Sequence, residues 1–126
     1  MRNIRLAPAA EKDIEGILAW SDRRFGETVR LRYEALLVQS LLDLSEDSQR
    51  VGVELRTELG TGIYSYHLRF SRDRVEKTIG RIQKPRHFLL FRAAKDGALE
   101  VGRVLHDSME LSKHLPPEYH PDDSDE

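Results

Sequence analysis

Residues 84–116 read KPRHFLLFRAAKDGALEVGRVLHDSMELSKHLP, and no other stretch of the chain says more about its fold. His87 to Arg92 is almost continuously apolar, as a central strand is when both of its faces are covered. Ala98 to His106 is a second, largely apolar strand pattern whose only small interruption is Gly102, the residue that marks bends and bulges within strands. Lys95-Asp96-Gly97 between them has the chemistry that tight hairpin turns prefer. Two antiparallel strands are therefore predicted. Beyond them Ser108 to Leu115 predicts one or two helical turns, stopped by Pro116-Pro117 because proline cannot continue a helix.

Working outward from this hairpin, Ile63 to Phe70 alternates. Tyr64, Tyr66, Leu68 and Phe70 fall on one face and Ser65, His67 and Arg69 on the other, the signature of a half-buried strand. Met1 to Leu6 is a shorter alternation and predicts a first strand. Between these lie two helical patterns. Ala10, Ile14, Ile17, Leu18, Ser21 and Phe25 recur at helical spacing, with Glu11 and Asp13 near the N-terminus where the dipole favours them. Gly26 punctuates, and Glu27 to about Leu44 resumes the period through Leu31, Ala35, Val38 and Leu42, so a helical hairpin is expected.

The second helix carries an additional apolar row, Leu37, Leu41 and Leu44, wider than one packed face needs; the row either sinks deeper into the core or meets a partner. Val51 to Gly62 has no regular period and reads as loop. Ser71 to Pro85 contains Arg72, Arg74, Lys77, Arg81 and Lys84 and reads as a long, mobile basic excursion, either solvated or in contact with a partner.

At 126 residues the chain has the length of one domain, and 39% hydrophobic with 33% charged residues is the composition of an ordinary folded protein. No apolar run approaches a bilayer span and the N-terminus has no apolar signal core, so the expected compartment is the cytoplasm. Zero cysteines exclude disulfides, Cys zinc sites and thiol catalysis. The net charge of −2 conceals a segregation: residues 62–106 carry 10 basic and 4 acidic groups, and residues 107–126 carry 1 and 7. A basic middle suits nucleic acid, a protein bound to nucleic acid, or an acidic protein partner. The domain is expected over residues 1–116, with 117–126 an acidic, disordered tail.

Several chemistries find no support. His67, His87, His106, His114 and His120 show no HxH or HExxH spacing, so no metal site is expected. Gly60 and Gly62 are not followed by the residues of a phosphate loop, and no nucleotide cofactor is indicated. Ser108, Asp107 and His106 are chain neighbours without a nucleophile elbow, which argues against a serine hydrolase.

Four stretches resemble the RelE/ParE toxin superfamily: AEKDIEGILAWSDRRFG at 10–26, SYHLRFSR at 65–72, PRHFLLFR at 85–92 and RVLHDSMELSKHLP at 103–116. The last is the most specific, with Arg103, Val104, Leu105, His106, Met109, His114, Leu115 and Pro116 in the family's order. The resemblance implies an α+β fold: an N-terminal strand, an antiparallel helical hairpin packed on a small antiparallel sheet of three to four strands, and a short C-terminal helical turn. It also implies a type II toxin of the plasmid-stabilisation kind, without cofactor, held in a hetero-oligomer by a cognate antitoxin. Antitoxin contact is expected at Trp20, Leu37, Leu41 and Leu44, although Trp20 also suits the edge of the core.

The superfamily has two mechanisms. Proteins resembling ParE poison DNA gyrase without performing chemistry, whereas those resembling RelE cleave mRNA on the ribosome. Cleavage needs a base for the ribose hydroxyl, a cation for the phosphorane and an acid for the leaving oxygen. Arg69, Arg86, Arg103 and His106 are candidates if their strands are neighbours. Equally, His106 suits a capping or packing role and Arg103 a carboxylate partner. The chain lacks the Arg-rich run and nearby Tyr that RelE-like nucleases carry after the last strand, which favours the gyrase reading, with Arg72, Arg74, Arg81, Lys84 and Arg86 as target contacts. A binding module that keeps its antitoxin but has lost toxicity is a third reading.

Overall fold

The structure, a computed structural model, describes residues 1–108. The helical turns expected as far as Leu115 and the tail 117–126 lie outside the described residues. In chain order the elements are β1 (Ile4–Leu6), α1 (Pro8–Phe25), α2 (Glu27–Glu46), β2 (Val53–Leu55), β3 (Tyr64–His67), β4 (His87–Ala93) and β5 (Leu99–His106), with short 3-10 turns at Leu68–Phe70 and Arg72–Arg74.

Pro8 opens α1, where its missing N–H is no loss and its fixed φ suits the first turn. Glu11 in the first turn and Arg23 and Arg24 in the last complement the helix dipole. Gly26 alone links α1 to α2, at φ 91°, a conformation that a side chain would strain. The hairpin of helices is as tight as expected, but α2 presents the opposite face to the sheet. Tyr33, Leu36, Leu37, Ser40 and Leu44 are buried, whereas Leu31, Val38 and Leu42 stand in solvent. Both rows have helical spacing, so periodicity alone offers two faces; the row holding Tyr33 and Leu36 brings more apolar area to the core. Leu37 and Leu44 are therefore core residues rather than antitoxin contacts, and Leu41 packs half-buried against them. Burying each such leucine is worth about 2 kcal/mol.

The sheet has five strands in the order β1-β5-β4-β3-β2, with β1 parallel to β5 and every other pair antiparallel. The expected all-antiparallel sheet of three to four strands is thus corrected twice. The extra strand β2 lies inside Val51–Gly62, read as loop from the sequence; three edge residues are too few to show a period. The parallel pairing of β1 joins the two ends of the domain, which no local pattern records. β3 stops at His67, where the ring Nδ1 accepts the Arg69 N–H at 3.1 Å and the chain winds into a 3-10 turn that still buries Leu68.

In the central pair Leu90 faces Arg103 and Phe91 faces Val101, so Gly102 is an extra residue on β5. This bulge lets Val101 and Val104, three apart, both join Leu89 and Phe91 in the core beneath the helices. Phe88, Leu90 and Leu105 form a second cluster with Leu59 and Ile63. Because strand side chains alternate, that cluster lies on the opposite face of the sheet.

Residues 71–85, expected to be mobile, are tied down. Asp43, buried in the inner face of α2, takes four donors: Gln39 Nε2 (2.8 Å) and Arg74 Nε (2.8 Å) on Oδ1, Arg50 Nη1 (2.8 Å) and Ser71 Oγ (2.6 Å) on Oδ2. The buried Tyr66 hydroxyl completes the network at 2.7 Å from Ser71 Oγ. Further along, Arg72 Nη1 donates to the Gln83 carbonyl at 2.6 Å, Arg32 Nε donates to that of Ile79 at 3.2 Å, and Arg81 pairs with Asp73.

Candidate functional site

The tail of α1, the start of α2 and the far ends of β4 and β5 enclose a groove of about 830 Å³. Its walls are apolar, with Ile17, Trp20 and Phe25 from α1, Val29 from α2 and Ile82 from the loop before β4. Trp20 and Phe25 are 52% and 56% exposed, and their rings meet edge to face with centroids 5.6 Å apart. Lys12, Lys84 and Arg86 also line the groove. Adjoining exposed aromatics beside charged side chains are characteristic of surfaces that bind a partner.

At one end of the groove β4 and β5 set His87 directly opposite His106, with ring centroids 5.3 Å apart and planes nearly perpendicular. His87 Nδ1 lies 2.6 Å from the Tyr33 hydroxyl, which also accepts the Arg86 N–H at 3.2 Å. Burial, reinforced by the neighbouring His106, pushes His87 down to about 4, so the ring is neutral at pH 7. Burial likewise pushes the Tyr33 phenol up to about 12. A neutral ring with Nδ1 unprotonated lets Tyr33 donate to it while accepting from the backbone, which satisfies both groups.

Beside this pair, Arg86 holds Asp107 through a two-pronged contact, Nη2 to Oδ1 at 2.9 Å and Nε to Oδ1 at 3.1 Å. His67 Nε2 approaches Asp107 Oδ2 at 3.1 Å. The Arg86 hydrogen bonds bring Asp107 down to about 2, so it is a carboxylate throughout the physiological range. His106 Nδ1 is 2.7 Å from Ser108 Oγ. The set contains a neutral imidazole, a phenol, a guanidinium and a carboxylate, the chemical types of acid–base work.

Of the four residues suggested for RNA cleavage, Arg86 and His106 do meet here. Arg103 borders the same groove but is gripped by Asp13, Nε to Oδ2 at 2.7 Å and Nη2 to Oδ1 at 2.9 Å. Asp13 Oδ2 also accepts the Val104 N–H at 2.9 Å. β1 ends opposite Val101, so the carboxylate from α1 takes over the β5 edge where the partner strand stops. Arg69 stacks on Phe70 at 4.6 Å and borders a separate hollow with Arg56 and His67. The quartet is therefore not assembled.

The expected target contacts are also divided. Arg74 is committed to Asp43, Arg72 to a carbonyl and Arg81 to Asp73, while Lys84 and Arg86 face the groove. Sequence reading misses Asp13, Tyr33, Asp43, His67, His87 and Asp107. Asp13 and Asp43 are visible as carboxylates within apolar helical stripes; Tyr33 depends on which face α2 turns to the sheet, and His67, His87 and Asp107 on how the strands pair. Among the described residues no group of three or more His, Asp or Glu is placed to hold a metal, and no helix is long and apolar enough to cross a membrane.

The family described as ParE toxin of type II toxin-antitoxin system, parDE, matches residues 4–111. No curated protein matches the chain.

Proposed function

The chain belongs to the ParE toxin family of type II toxin-antitoxin systems, and on that premise we propose that it poisons DNA gyrase in the cytoplasm by binding rather than by chemistry. Membership implies a cognate antitoxin. The groove beside Trp20 and Phe25 is the surface we assign to it, in place of the row Leu37, Leu41 and Leu44. The observation that carries the non-chemical reading is the Asp13–Arg103 fork: Arg103, a cation of the central hairpin that borders the groove, is already neutralised by a two-pronged contact.

Expression of the protein without antitoxin tests this. Gyrase-dependent DNA breaks and an SOS response are expected, and cleavage of mRNA at ribosomal A sites would overturn the proposal. Normal growth in the presence of soluble protein would indicate a module that only binds. One observation favours mRNA cleavage as the second reading: Arg86, His87, His106 and Tyr33 all line the groove. If that reading is right, His106→Ala abolishes cleavage while antitoxin binding persists.

A further inference from the structure

We propose that the exposed face of α2 joins two copies of this chain, side by side and parallel. Leu31, Ala35, Val38 and Leu42 follow one another at spacings of four, three and four residues, the seam of a two-stranded coiled coil. The chain's own packing leaves that seam bare: Leu31, Val38 and Leu42 are 44%, 51% and 44% exposed. Ile79, 42% exposed, extends the patch from the 71–85 loop, where Arg32 Nε donates to its carbonyl and it borders the same hollow as Leu31, Ala35 and Val38. Single exposed leucines are ordinary, but a row continuous along one helix marks an interface.

The charges beside the seam indicate what covers it. Successive residues of a helix turn by about 100°, which puts Glu27 and Glu34 on one flank of the row and Arg32 on the other. Among the described residues none of the three has a partner of opposite charge; Arg32 gives only its Nε, to a neutral carbonyl. In a parallel pair related by a two-fold axis along the helices, the acidic flank of one copy faces the basic flank of the other. Glu27 then meets the partner's Arg32, and symmetry makes the contact twice. Turned antiparallel, acidic flank meets acidic flank, so the face complements itself in one arrangement only. Tyr33, two residues from Leu31, lies on the opposite side of α2, which leaves the groove it lines with Trp20 and Phe25 uncovered in both copies. The seam is four positions long, less than a permanent dimer buries, so the pair forms and separates with concentration.

Sedimentation velocity of the full chain, freed of antitoxin and followed over a range of concentrations, tests this. The wild type is expected to pass from monomer to dimer as concentration rises. Val38→Glu puts a carboxylate into the seam at an exposed position, so circular dichroism should stay unchanged while the protein remains monomeric throughout. Arg32→Glu leaves the apolar row intact and sets a carboxylate against the partner's Glu27 twice. The dimer dissociation constant is expected to rise about tenfold, and by less at high salt. Adding Glu27→Arg to Arg32→Glu exchanges the two charges and is expected to restore the pair. A wild type that is monomeric at every concentration, a dimer that survives Val38→Glu, or a folded charge exchange that restores nothing would each overturn the proposal. So would a loss of antitoxin affinity in Val38→Glu with no self-association to lose, because the row would then belong to the antitoxin.

Discussion

Asp43 and Asp107 are both carboxylates held by arginine, yet their surroundings differ in almost every other respect. Asp43 is 2% exposed and receives two donors on each oxygen from four residues. Asp107, with a side chain 29% exposed, shares its oxygens between Arg86 and His67 at the end of the sheet. Burial alone would raise Asp43; the hydrogen bonds from Ser71, Arg74 and Gln39 and the charge of Arg50 outweigh it and leave the carboxyl below its usual range. A buried network with every member satisfied fixes structure, here by pinning the 71–85 loop to α2. The cluster around Asp107 instead lies beside open volume, where side chains can meet something else.

If that contrast is real, the largest loss of stability comes from the closed cluster. Asp43→Asn replaces one acceptor oxygen by a donor and leaves Arg50 and Arg74 with no carboxylate between them. A loss of about 3 kcal/mol is expected, at the lower end for broken buried pairs because Arg74 is half exposed. Urea denaturation measures it. A change below about 0.5 kcal/mol would mean that the knot is an ornament of the fold and not its clamp.

At the open end the expected signature is acid sensitivity. His87 titrates near 4 in the folded protein, below its ordinary value of about 6.5, so the unfolded chain takes up the proton first. Its contribution to stability is full above pH 6.5 and declines as pH falls toward 4, by up to roughly 3 kcal/mol at the acid limit. His87→Gln keeps an acceptor for Tyr33 but cannot titrate, so its stability profile is expected to be flatter across that window. Parallel profiles for the two proteins would remove His87 as the cause. Asp107 also loses its contribution toward acid, in a lower window: it is full above the ordinary carboxylate value and is lost as pH falls from there toward about 2.

Between these extremes stands Asp13, which is half of each kind: it closes the edge of β5 and borders the groove. Asp13→Ala removes the acceptor of both the Val104 N–H and the Arg103 fork, and thermal unfolding is expected to show a loss of about 2 kcal/mol. If Arg103 instead serves catalysis, Asp13→Ala frees it and mRNA cleavage appears or rises; no such gain is expected.

The two clusters also differ in how far the sequence announces them. The hairpin His87–His106, the helical pair and β1 are local patterns, and each forms where its period predicts. The carboxylates Asp13 and Asp43 break apolar stripes and in that sense advertise buried partners. Their partners, however, come from as far as residue 104, a pairing that exists only once β5 lies against α1. The same is true of the groove. His87 meets His106 through strand register, Tyr33 joins them because α2 turns the face holding Leu36 and not that holding Val38 toward the sheet, and neither choice is encoded in spacing. Gly102, legible as an interruption, becomes a bulge whose effect is to let Val101 and Val104 share a face.

The smallest effect on stability is expected at Trp20, and that is what makes it the sharpest probe of the open region. Its indole is 52% exposed and packs edge-on against Phe25, itself exposed, so Trp20→Ala leaves no enclosed cavity and uncovers no buried donor. Unfolding free energy should stay within about 0.5 kcal/mol of the wild type, as surface changes away from special features do. Antitoxin binding should respond very differently. An aromatic anchor in an apolar groove is the residue type that dominates interfaces, and its truncation commonly costs about 2 kcal/mol, roughly thirty-fold in affinity. Calorimetry of wild type and variant, each unfolded alone and each titrated with antitoxin, separates the two quantities. Unchanged affinity would move the antitoxin away from the groove, toward the exposed row Leu31, Val38 and Leu42 on α2; lost stability would make Trp20 part of the core, and the division between a closed and an open half of the molecule would fail.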